Sequence, residues 1–473
     1  MGQVNGQSGS GAVSVSGTAI GGNGSNGANE NLYNAVGGQT AGPLSLAQNA
    51  IGGSALNPGG SGGNASSVLN QNLAGFSNAP SSLTLNVSST GGNGGPAGAF
   101  TNTSGQLQSI FSGSGGGTQS SAVGSLSGDG AVTINATAVG GNGGAGDIAA
   151  GISAGRGGIA QLGQVNGQSG SGAVSVSGTA IGGNGGNAAS ENLNNVVGGQ
   201  TAGPLSLTQN AIGGSALDPG GSGGNASSVL NQNLTGFSNA PSSLTLNVSS
   251  TGGNGGAADA FETTSGQVQS IPGGNGGGTM SSAVGSLSGN GVVTINATAV
   301  GGNGGAGEIA VGISGGQGGI AQLGQVSGQS DSGAVSVSGT VIGGNGAYGA
   351  SESLNNLVTG TTAGSLSLTQ TAQGGNGLIG GNAVSGLTYS ASESTNLTLV
   401  SQAIGGIGAF PEPGLMVGRV PQSGTALADA GGMAVAGTAT TFATARSSAG
   451  DFIQSVVTQA SAPLSSSVSL TSP

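Results

Sequence analysis

The side chains that could move a proton, attack a carbon or hold an ion are few in this chain of 473 residues. There are 14 acids and three arginines, Arg156, Arg419 and Arg446, with no His, Cys, Lys or Trp. The chemistry open to such a set is paired-carboxylate acid and base work, or binding of a hard cation by oxygen. Internal copies of the sequence test the first option. Asp129 corresponds to Asn290, Asp218 to Asn57, Asp259 to Gly98 and Glu262 to Thr101, so the acids drift between copies and form no repeated catalytic pair. Only Glu30, Glu191 and Glu352 recur in all three copies. We read these as solvated charges that begin a return strand and discourage edge pairing. No catalytic, cofactor-binding or metal-binding residue is assigned, and no cofactor is expected.

The remaining signals for sites are weak. The run Gly143-Gly144-Ala145-Gly146-Asp147 is similar to a calcium-binding β-roll nonapeptide, but the repeated spacing and most of the aspartates are missing. A phosphate-cradling glycine loop needs a following helix and a Lys, and neither is present. Triplets such as Asn64-Ala65-Ser66 and Asn86-Val87-Ser88 are expected by chance in so Ser/Thr/Asn-rich a chain. A net charge of -11 with scattered arginines builds no positive patch, which sets nucleic acid aside as a partner.

The elements that would position any surface come from one stretch, Ala131 to Gly144. Val132, Ile134, Ala136 and Ala138 alternate with Thr133, Asn135 and Thr137, and Gly140-Gly141 follows. That is a half-buried strand running into a glycine turn. The template recurs ten times before residue 410, with bulky residues first and small ones last: Val13/Val15, Leu44/Leu46, Leu83/Leu85, Val174/Val176, Leu205/Leu207, Leu244/Leu246, Val293/Ile295, Val335/Val337, Leu366/Leu368 and Leu397/Leu399. Such a taper suits closely stacked strands whose backbones approach near the turn. With 109 Gly, 4% charged and 34% hydrophobic residues, the chain calls for a fold with a thin core.

Gly2-Gln3-Val4-Asn5-Gly6-Gln7 returns at Gly163 and, with one change, at Gly324, an offset of 161 residues. The units are 2–162, 163–323 and a shortened 324–409, followed by a divergent Ala/Ser/Thr-rich segment, 410–473, read as a cap or a frayed tail. The template returns at steps of 31, 39, 49 and 42 residues within a unit. An unchanged strand with variable loops predicts an all-β, solenoid-like stack. An antiparallel hairpin stack and a bundle of polyproline-like glycine helices fit the same pattern. Weaker segments at Glu30 to Val36, Ala65 to Leu73, Gln106 to Ile110 and Asp147 to Ile152 are the candidate return strands, with Pro43, Pro80, Pro204 and Pro241 placed just ahead of strong strands.

The tandem Gly-Gly-Asn-Gly-Gly turns and Ser/Thr/Asn-rich alternating strands over residues 2–410 resemble the repeat regions of exported bacterial surface proteins of the filamentous-haemagglutinin and autotransporter-passenger type. The resemblance implies secretion, surface exposure and an adhesive or matrix role. Pro411-Glu412-Pro413 is similar to the tripeptide of a bacterial sorting tail, although no membrane segment and basic cluster follow. The N-terminus shows no secretory signal and no apolar run long enough to span a bilayer, and Gly2 is already in phase with the repeat. The chain therefore reads as a fragment, as a product that has lost its leader, as cargo of another export route, or as a protein that stays inside. The expected function is a non-enzymatic structural or adhesive protein, extracellular or at the cell surface, with surface glycans or its own open strand edges as partners. Carbohydrate binding is the alternative, short of aromatic platforms because Tyr33 becomes Asn194 in the next unit. Ice binding is another, with Thr18 and Thr137 in matching places but Asn49 and Ser88 between them. A β-helical polysaccharide lyase comes last, for want of acidic and basic clusters.

Overall fold

A computed structural model describes the chain except for residues 1, 76–78, 148–149, 238, 263–266, 309–311, 410–420, 436, 448–452, 462–464 and 472–473. Pro411-Glu412-Pro413 lies outside the described residues. All the strong strands fall in one sheet of thirteen, from Val13–Ile20 to Ser465–Thr471, and each pairs in parallel with the next. Parallel neighbours exclude the hairpin stack, because each strand must be reached by a crossover. The chain is a solenoid. Spaced at about 4.8 Å, thirteen strands make a stack roughly 60 Å long.

Each coil has three parts. A strand of this face sheet leads into a glycine-rich wing, the wing turns back, and a strand of a second, return sheet leads through a tight turn to the next coil. The core lies between the two sheets. Leu44, Leu46, Leu83, Leu85, Val132 and Ile134 point into it from the face sheet, and Leu69, Leu73, Leu126 and Val165 from the return sheet, all nearly or fully buried. The taper has its expected effect: toward the wing the inward side chains shrink to Ala50, Ser89 and Ala138, and Ser89 Oγ meets Ser120 Oγ across the core at 2.8 Å.

Two of the four return-strand assignments need correction. In the 49-residue coil, Leu107–Ile110 pairs with Gly98–Thr101 as an antiparallel hairpin at the wing tip, and the return strand is Thr118–Leu126. In the next coil, Asp147 and Ile152 form a local bridge, and the return strand is Ala160–Gln168. Two sequence features hid them. Thr118–Leu126 turns mostly small or polar residues inward, and Ala160–Gln168 carries a bulge between Leu162 and Val165 that breaks the period of two. Beyond residue 420, Ala426–Ala434 and Ile453–Ser461 continue the return sheet, while Thr438–Arg446 and Ser465–Thr471 continue the face sheet.

Apart from short local pairs such as the tip hairpin and Gly346–Tyr348 beside Gly377–Ile379, the described part of the wing is not a continuous strand ladder. Its outgoing and returning segments lie side by side and are stitched by backbone bonds that alternate between them: Gly63 N to Gly53 O, Gly92 N to Gly63 O, Gly116 N to Gly92 O and Gly141 N to Gly116 O, at 2.8–2.9 Å. Glycine is required here by proximity. A Cβ on Gly92 would lie 1.8 Å from the Gly53 carbonyl oxygen, and one on Gly27 would lie 1.6 Å from it. The glycine segments thus pack side by side as one side of a β-solenoid.

Candidate functional site

The structure does not bring the chemistry-bearing side chains together. Among the described residues no group of three or more His, Cys, Asp or Glu is placed to hold a metal ion. Asp147, the end of the β-roll-like run, accepts the Ala150 N–H at 3.2 Å within its own turn. Both oxygens of buried Asp218 accept the Ala154 N–H at 2.8 Å, a structural bond that joins two coils.

Glu191 and Glu352 are not solvated, which corrects the reading from sequence. Both are 3% exposed, and each carboxylate accepts one backbone N–H at 2.9 Å, from Ala160 and Ala321 respectively. Burial pushes both carboxyls up to about 7, against the smaller downward pull of that bond. The reason lies in a seam of the return sheet. Once per unit a return strand splits in two: Glu30–Tyr33 and Val36–Gln39, Glu191–Asn194 and Val197–Gln200, Glu352–Asn355 and Val358–Thr361. The first half pairs only with the coil ahead and the second half only with the coil behind. The step is made at Asn34, Asn195 and Asn356, each left-handed with φ of 45°, 51° and 51°. Asn tolerates that region better than other side-chain-bearing residues.

A split strand leaves backbone groups without ladder partners, and buried polar groups must be satisfied. Side chains fill the gaps. Gln209 reaches through the core from the face sheet, accepts the Val196 N–H at 3.1 Å and donates to the carbonyls of Leu193 and Val229. Gln48 makes the three equivalent bonds in the first unit, and in the third Gln370 accepts the Leu357 N–H and donates to the Gly386 carbonyl. The Asn195 side chain accepts the Asn231 N–H at 2.6 Å, and the Glu carboxylates take the N–H groups on the other side of the split. No sequence rule singled out these glutamines; their signal was a long polar residue at an inward position of an otherwise alternating strand.

The asparagines of the Gly-Gly-Asn turns are structural as well. Asn93 Oδ1 accepts the Asn142 N–H, Asn142 Oδ1 that of Asn184, Asn303 Oδ1 that of Asn345 and Asn345 Oδ1 that of Asn376, at 2.7–3.0 Å. This amide ladder runs along the wing, coil to coil.

What the fold leaves for a partner is the outer side of the face sheet. One register position carries a hydroxyl in each of twelve successive strands: Ser14, Ser45, Thr84 and Thr133, then Ser175, Ser206, Thr245 and Thr294, then Ser336, Ser367, Thr398 and Thr440. The row with Thr18 and Thr137 is in register as expected, and Asn49 and Ser88 within it bond to each other at 2.8 Å. Between the rows Asn135 donates to Asn86, and Asn296 to Asn247, at 2.9 Å. Arg446 is the only charged residue on the strands of this sheet. Apart from that one exposed arginine the face is uncharged, and it is dense in groups that both donate and accept.

No family model, no curated protein and no solved structure matches the chain. No helix among the described residues is long and apolar enough to cross a membrane.

Proposed function

We propose that the chain is a non-enzymatic structural and adhesive repeat protein, an extended segment of an exported bacterial surface or matrix protein that meets its partner through the face sheet. The observation that carries this reading is the unbroken row of twelve hydroxyls on a sheet whose strands carry a single charged residue. A stack of parallel coils holds such a row straight, and closely packed hydroxyls and amides suit the hydroxyls of a neutral glycan. Acids that are consumed as backbone acceptors support the non-enzymatic part.

The test is co-sedimentation with insoluble cellulose and chitin. Wild-type chain is expected in the pellet. A variant with Thr84, Thr133, Thr245 and Thr294 changed to Asp is expected in the supernatant with an unchanged β circular-dichroism spectrum. If wild type stays in solution with both polymers, or if the charged variant pellets equally, the face is not the adhesive surface.

The same unbroken row favours ice binding as a second reading, since a crystal surface also requires a flat array of regularly spaced groups. Inhibition of ice recrystallisation by wild type and not by the four-Asp variant is its measurement.

A further inference from the structure

The three seams are alike in sequence position but not in how their second gap is filled. At the third seam the Tyr389 hydroxyl donates to the Gly360 carbonyl and the ring packs against the core. At the second seam the corresponding residue is Gln232, which makes a long contact of 3.4 Å from Nε2 to the Gly199 carbonyl. At the first seam the same places hold Gln71 and Gly38, and here the structure has an open cleft of about 450 Å³. Ala35 stands where the other seams have Val196 and Leu357; those two pack against the main core, whereas Ala35 is buried in a small cluster with Leu32, Ala50 and Ala65.

The cleft exists because its two walls are strands that pair only away from it. Val36–Gln39 pairs with Val4–Gln7, and Asn70 to Leu73 with the end of Thr118–Leu126. The lining is mostly amide, Gln7, Gln39, Asn70 and Asn72 among them, with the nearly buried Val36 and Leu73 as its apolar floor, and Gly38 carries the carbonyl equivalent to the one Tyr389 bonds.

We propose that the cleft at the first seam binds a phenolic ring, in the place that Tyr389 occupies at the third. The ring covers the apolar lining, its hydroxyl donates to the Gly38 carbonyl, and a side-chain amide donates to the phenol oxygen. The third seam shows that this part of the fold accommodates the group: burial raises the Tyr389 phenol, as expected for a hydroxyl held out of water. A phenol is the class chosen because the third seam sets a phenol hydroxyl on the equivalent carbonyl, and the amides around the cleft can donate to the same oxygen. The site is on the return sheet, so it stands or falls independently of the adhesive face.

The experiment is titration of the full chain with N-acetyltyrosinamide and p-cresol, followed by ligand-observed NMR, with N-acetylphenylalaninamide as the control lacking the hydroxyl. Saturable binding of a phenol is expected, at least fivefold weaker for the phenylalanine analogue. Gln71→Tyr copies the third seam and is expected to weaken phenol binding at least tenfold. Gln39→Trp, at an exposed lining position, fills the same cleft and gives the same loss if Gln71→Tyr does not fold. Binding of both phenols supports a site open to free phenols, and binding of the tyrosinamide alone supports a tyrosine presented by a polypeptide. The proposal is overturned if neither phenol saturates, if the phenylalanine analogue binds equally, or if the folded variants bind as wild type does.

Discussion

In the strand half of each coil, neighbours meet through side chains, with Leu46 beside Leu85 and Leu85 beside Ile134. In the glycine wing they meet backbone to backbone. The first half tolerates exchange of one apolar shape for another, and it has exchanged them: Val13, Leu44, Leu83 and Val132 hold the same place in successive coils. The second half has no such freedom where a neighbouring carbonyl oxygen occupies the space a Cβ would take. A core of side chains can drift in sequence while keeping its volume, whereas a core of backbone must keep its glycines.

Gly92→Ala against Leu85→Ala is the sharpest test of that difference. The wing substitution forces a methyl group into the Gly53 carbonyl and is expected to cost about 4 kcal/mol or more. The leucine truncation leaves a cavity and is expected to cost about 3 kcal/mol. Gly22→Ala, with nothing within 4 Å of the new methyl, is the wing control and is expected to change stability by less than about 0.5 kcal/mol. Urea titrations followed by circular dichroism give the order. A larger loss for leucine than for Gly92 would break the comparison.

The seams are where the two halves borrow from each other, side chains completing backbone. Gln209→Ala would strand the Val196 N–H and the Leu193 carbonyl in the core, at an expected cost of about 2 kcal/mol. Gln209→Glu keeps an acceptor but loses the donor and buries a charge, so it should be no better in the same urea titration.

The seam carboxylates make the fold pH-dependent. Glu191 and Glu352 rise from 4.5 to about 7 on folding, so the folded state binds protons more tightly than the unfolded one. Their contribution is complete below about pH 4.5, falls as pH rises through 7, and is absent above it. Stability should drop by roughly 1–2 kcal/mol per residue over that window. Glu191→Gln, which keeps the acceptor for Ala160, should remove half of the slope in melting temperature between pH 4.5 and 8. A slope that survives in the double Gln variant would assign it to other groups.

Asn142→Ala is the smallest of the expected losses apart from the Gly22→Ala control. It removes one rung of an exposed ladder and should cost about 0.5–1 kcal/mol by urea titration, much less than Gly92→Ala.

The face sheet was legible because Val132, Ile134, Ala136 and Ala138 alternate without interruption, and the stack was legible because the same alternation returns at Val174 and Val293. Parallel pairing was not, since both coils and hairpins place such strands side by side. The return strands escaped where Gly163-Gln164 bulges out of register and where Ser120 and Gly124 take inward places. Glu191 looked solvated because a lone acid in a polar segment usually is; only the split strand, which shows no local signature beyond Asn195, creates the unpaired N–H that draws it inside. The hydroxyl row was within reach, since the register of Thr18 with Thr137 was read correctly, but attention to that row missed the unbroken one four residues upstream.

The wings carry most of the length variation, with a smaller share in the turns ahead of the face strands. Bonds between equivalent turn positions span 31, 39, 49 and 42 residues, yet the strands on either side keep their register. Change in loop length is thereby uncoupled from the packing of the stack. New segments can be added at a tip, as the hairpin of Gly98–Thr101 and Leu107–Ile110 is, without moving a single strand of the face. Such a chain can diversify what it displays at its margin while its long surface stays constant.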